Sequence, residues 1–93
     1  MTETPLLIGS LSNDLFRVAN LTQRGSLKGA QRFLEEAKRW SRQLSNREVK
    51  AYLKKIIDDI NLANSSEITV EKAEKYLMYG ILLQNYALHG TGP

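Results

Sequence analysis

The strongest pattern in the chain is a run of apolar positions spaced by three and four. Ala30, Phe33, Ala37, Trp40 and Leu44 follow one another in this way. The spacing keeps all five on one side of a helix, and Leu34 widens the stripe. Val49, Leu53, Ile56, Ile60 and Ala63 repeat the rhythm, flanked by Tyr52 and Ile57. Nearer the N-terminus, Ile8, Leu11, Leu15, Val18 and Leu21 show it again. Gly9, Ser10 and Ser12 weaken the start of that segment, so a regular helix is expected only from about Ser10. A fourth helical segment runs from Val70 to about Leu88 and is apolar on every side over Leu77 to Leu83. No strand-like alternation persists beyond a few residues.

The residues between these segments read as helix ends. Thr4-Pro5 offers an N-cap and a proline at the first helical position. Gly25 suits the left-handed position after a helix, and Ser26 suits the N-cap of the next. Ser45-Asn46-Arg47-Glu48 has the spacing of a capping box, which predicts an immediate restart of helix. Asn64 to Glu67 is a polar loop. Thr69 caps the fourth helix, Glu71 meets its dipole favourably, and Gly90 stops it. Short links between helices place them side by side and antiparallel. The expected fold is all-α: an up-down antiparallel bundle of four helices, or three plus a looser N-terminal helix. Residues 1–93 form one domain, with residues 1–4 and 90–93 as frayed tails.

Composition narrows the function classes. The chain has no cysteine, which excludes disulfides, thiol catalysis and cysteine-based metal sites. It contains no run of 18 apolar residues, so no membrane-spanning helix is expected. The first five residues, Met1 to Pro5, include no basic residue, so no secretory leader is expected. A cytoplasmic location is the expectation. His89 is the single histidine, with no Asp or Glu within ten residues in sequence. Asp58-Asp59 follows Lys54-Lys55 by one turn and reads as paired surface charge. Gly25 to Gly29 has neither the length nor the preceding strand of a phosphate loop. The expectation is therefore no enzyme, no catalytic residue, no cofactor and no metal.

Charge, by contrast, is sharply segregated. Tyr76 to Pro93 contains no Asp, Glu, Lys or Arg, whereas Arg24 to Lys55 holds ten Lys/Arg against three Glu. That is a local +7 in a chain whose total is +3. Two surfaces follow. The fourth segment is apolar all round and can be divided into three seams. Tyrosine buries area while keeping a polar handle, so Tyr76, Tyr79, Leu83 and Tyr86, with Leu77 beside them, are the expected self-association contact. On that expectation Tyr79→Asp or Leu83→Asp dissociates the oligomer and leaves the bundle folded. Gly80 would admit a close neighbour.

The second surface is basic. Lys28, Arg32, Arg39 and Arg42 recur, with Glu35 among them, on the back of the second helix, and Arg47, Lys50 and Lys54 on the third. They are candidate anion or nucleic-acid contacts. Pairs such as Glu35–Arg39 and Lys54–Asp58 would instead make this a solvated face. The functional expectation is a small interaction or regulatory module that associates as a homodimer or with another protein. The alternative is a nucleic-acid-binding accessory protein using the basic face.

Overall fold

A computed structural model describes residues 3–89 and contains four α-helices: α1 (Thr4–Gln23), α2 (Leu27–Leu44), α3 (Ala51–Leu62) and α4 (Val70–His89). The Cα radius of gyration is 12.2 Å, the compactness expected of about ninety packed residues. Helix directions follow from cross-chain contacts. Arg47 beyond the end of α2 reaches Thr4 at the start of α1, while Leu21 near the end of α1 lies against Gly29 near the start of α2. Lys38 of α2 bonds the carbonyl of Ala63 just after α3, whereas Ser45 just after α2 meets Lys54 in the first half of α3. Asp59 of α3 meets Lys75 and Tyr79 of α4, and Tyr52 lies near enough to Tyr86 for their ionised forms to repel. Each helix therefore runs opposite to the one before it, giving an up-down bundle.

The core is aliphatic. Leu7, Ile8, Leu11, Leu15 and Val18 of α1 pack with Leu34 and Leu44 of α2, with Leu53, Ile56, Ile57 and Ile60 of α3, and with Tyr76 and Leu83 of α4. Helix α1 is the most enclosed element, with nine buried residues against four in α4. It packs against both α2 and α4. The expectation of a loose N-terminal helix starting near Ser10 is thus corrected. The small residues that weaken helix propensity there permit close approach. Ser12 donates from Oγ to the carbonyl of Gly80 at 2.7 Å, and the ring of Phe16 occupies the space where a side chain on Gly80 would stand.

The ends of the elements divide into those that form as expected and those that do not. Gly25 has φ +80°. Its amide donates to Thr22 and that of Ser26 to Leu21, the paired bonds of a glycine-terminated helix. Thr69 Oγ1 accepts the amide of Lys72 at 3.1 Å and caps α4. The Ser45–Glu48 capping box does not form, and α3 begins at Ala51 rather than Val49. The Ser45 hydroxyl is already used: it donates to the Ser41 carbonyl at 3.0 Å and accepts from Asn61 at 2.7 Å. Thr4 belongs to α1 rather than to a frayed tail. The expected tails at residues 1–2 and 90–93, and the stop at Gly90, lie outside the described residues.

Candidate functional site

The bundle carries two contrasting surfaces, one apolar and one basic. The apolar one lies on α4, but not along the expected seam. Tyr76 is 2% exposed and Leu83 0%, and Tyr79 and Tyr86 pack against the same core. This seam meets α1 and α3 of its own chain. The tyrosine hydroxyls serve the same end. Tyr79 donates to Asp59 Oδ2 at 2.7 Å, and Lys75 Nζ lies 3.0 Å from that oxygen. Burial first, and then the Asp59 carboxylate, hold the Tyr79 hydroxyl well above its ordinary pKa. The same two causes raise Tyr76. These groups tie α4 to α3. An aspartate at Leu83 would bury a charge in the core, so that substitution tests folding rather than association.

A different stripe of α4 faces outward. Met78 is 55% exposed, Ile81 47% and Leu88 68%. Leu77, Ile81, Gln84 and Leu88 follow at spacings of four, three and four, with Met78 alongside. Of the five residues expected at a partner, only Leu77 borders this stripe. Helix α1 extends the surface. Its positions Gly9, Asn13, Phe16 and Asn20, again spaced four, three and four, are half-buried or exposed and uncharged. Phe16 joins the two helices because its ring lies over Gly80. The combined face is apolar along α4, polar along α1, and without charge from Tyr76 onward.

The basic surface lies on α2. Lys28, Arg32, Arg39 and Arg42 are all exposed, and among the described residues none has a carboxylate within ion-pair distance. The expected Glu35–Arg39 pair is absent. Glu35 Oε1 instead accepts the hydroxyl of Ser65 at 2.7 Å. Lys54 does pair with Asp58, at 3.9 Å, and both side chains are more than half exposed. Such a pair contributes less than about 1 kcal/mol. Lys50 is exposed at the start of α3. Arg47 departs from the stripe, donating from Nη1 to Thr4 Oγ1 at 3.1 Å. Lys38 is also engaged, with Nζ 2.6 Å from the Ala63 carbonyl, where a cation suits the end of a helix.

One buried ionisable group lies between α1 and α2, at a position that the sequence pattern did not mark. Asp14 Oδ2 accepts the indole N–H of Trp40 at 2.8 Å, and Arg17 stands 3.6 Å from Oδ1. Burial raises the Asp14 pKa, and the Trp40 hydrogen bond partly opposes it. Arg17 also lies 5.1 Å from the Phe33 ring centroid. The cluster fixes one helix on another. Among the described residues, no three His, Cys, Asp or Glu side chains are grouped to hold a metal ion. Among the described residues, no helix is long and apolar enough to cross a membrane.

No family model, no curated protein and no solved structure matches this chain. The class defined by fold and surface is a small all-α bundle, and function has to be argued from the surfaces themselves.

Proposed function

We propose that this protein is an interaction module whose first partner is a second copy of itself, joined through the outward stripe of α4 and the adjoining flank of α1. The observation that carries the reading is the uncharged apolar stripe Met78, Ile81 and Leu88, exposed on a chain of net charge +3, with the half-buried Leu77 at its edge. Two identical positively charged molecules repel wherever their basic surfaces approach. This stripe is where they can meet while bringing no formal charge together. A twofold contact also requires a self-complementary patch, and a four-three spaced helix packing on its own copy supplies one. The mechanism is burial of apolar surface rather than chemistry. The cysteine-free composition fits a cytoplasmic setting.

Light scattering on wild type and on the double variant Ile81→Asp/Leu88→Asp tests the reading. Both positions are exposed, so helicity is expected to be unchanged while a dimeric mass falls to that of the monomer. A wild-type chain that is monomeric at every concentration would sink the proposal. So would a dimer indifferent to the two aspartates.

A further inference from the structure

The outward face of α2 belongs to a different surface, independent of self-association. Every exposed residue from Lys28 to Gln43 is polar, and four of the six are basic. Two features separate this face from an ordinary solvated one. First, the carboxylates beside Arg32 and Arg39, those of Glu35 and Glu36, are within ion-pair distance of none of the four basic residues among the described residues. Glu35 is held by Ser65 on the side of the α3–α4 link. Glu36 is half-buried on the side of α1, close enough to Asp14 to be felt by its carboxyl. Second, the helix places a lysine where its own dipole disfavours it. Lys28 is in the first turn of α2, which has no acidic residue and no side-chain cap.

The chemistry of the face also selects among anionic partners. A protein partner is held mainly by apolar and aromatic anchors in desolvated pockets, and this face offers none. A phosphate backbone needs none. It is held by neutralised charges and released counterions, and arginine is well suited to bind it bidentately. Lys28 to Arg42 spans about 21 Å of helix, over which one strand of a duplex presents about six phosphates. We propose that the outward face of α2, through Lys28, Arg32, Arg39 and Arg42, binds the phosphate backbone of nucleic acid without reading its sequence.

The test is fluorescence anisotropy of a labelled oligonucleotide of about twenty nucleotides, single-stranded and duplex, titrated with the full chain over a series of salt concentrations. With four phosphates neutralised, the log–log dependence of affinity on salt is expected to have a slope of about −2.8 for the single strand and about −3.6 for the duplex. Arg32→Gln/Arg39→Gln is expected to weaken binding at least tenfold and to reduce the slope by about 1.5. Two oligonucleotides of unrelated sequence should bind alike. Both arginines are exposed and without a carboxylate partner, so helicity should be retained. Lys28→Gln/Arg42→Gln gives an independent pair with the same expected effect. No anisotropy change at about 50 mM salt would overturn the proposal. Wild-type affinity retained in both double variants would do so too. A poly-glutamate of matched charge that binds as tightly as the oligonucleotide would assign the face to acidic protein instead.

Discussion

Asp14 and Asp59 are both carboxylates on helices, and their surroundings move them in opposite directions. Asp14 is 3% exposed at its side chain. Burial raises it above its ordinary 3.8, and the Trp40 hydrogen bond and Arg17 offset only part of this. Asp59 is also penalised by burial, but hydrogen bonds from Tyr79 and Lys75 outweigh the penalty and lower it. A carboxyl raised in the fold costs stability above its folded value, and that cost disappears as pH falls through it. A carboxyl lowered in the fold contributes stability above its unfolded value, and the contribution is lost as pH falls through the folded one. Asp59→Asn should therefore destabilise the chain at neutral pH, with the gap to wild type closing in acid. Asp14→Asn keeps an acceptor for the Trp40 indole and removes a buried charge, so it should be no less stable than wild type at neutral pH. Its difference from wild type should also vanish in acid. Urea unfolding followed by the fluorescence of Trp40, the only tryptophan, measures both. A destabilised Asp14→Asn would mean that the charge itself holds α1 on α2.

Two glycines inside helices should respond oppositely to a side chain. Nothing lies within 4 Å of the place where a Cβ on Gly9 would stand, whereas on Gly80 it would meet the Phe16 ring at 3.0 Å. Gly9→Ala should stabilise by about 0.5–1 kcal/mol, the helix-propensity difference. Gly80→Val should destabilise by about 1–3 kcal/mol, because a branched side chain must push Phe16, and α1 with it, off α4. Thermal unfolding of the two variants reads both signs. The contrast also explains how much of the fold was legible in the sequence. Of the stripe Ala30, Phe33, Ala37, Trp40 and Leu44 and the run Val49, Leu53, Ile56, Ile60 and Ala63, six residues are buried as their spacing predicts, while Phe33, Trp40, Val49 and Ala63 are partly buried against the same core. The Gly25 and Thr69 ends follow local rules that need no tertiary knowledge. The position of α1 was not legible, because Gly9, Ser10 and Ser12 lower helix propensity whether or not a second helix packs closely against them. The outward face of α4 was not legible either. When Tyr76, Leu77 and Met78 are all apolar in succession, periodicity cannot choose among seams. The choice was made by the tertiary partners Asp59, Ser12 and Phe16.

At the scale of the whole molecule, the uncharged α1–α4 face and the basic α2 face should respond to salt with opposite sign. A dimer joined through α4 carries a net charge near +6, twice the +3 of one chain. Its two halves repel through solvent, and that repulsion shortens in range from about 10 Å at 0.1 M salt to about 3 Å at 1 M. Raising salt should leave the dimer unchanged or tighten it a few-fold, since apolar burial is not weakened by screening. Nucleic-acid binding on α2 should weaken by orders of magnitude over the same range, because the released counterions must be taken back. Sedimentation velocity across the salt series, with and without oligonucleotide, measures both equilibria in one sample. A dimer that loosens with salt would show that charged groups make the contact, and the α4 stripe would not be its seat. A dimer that holds while the oligonucleotide is released would mean that the two surfaces act independently, as their separation on the bundle requires.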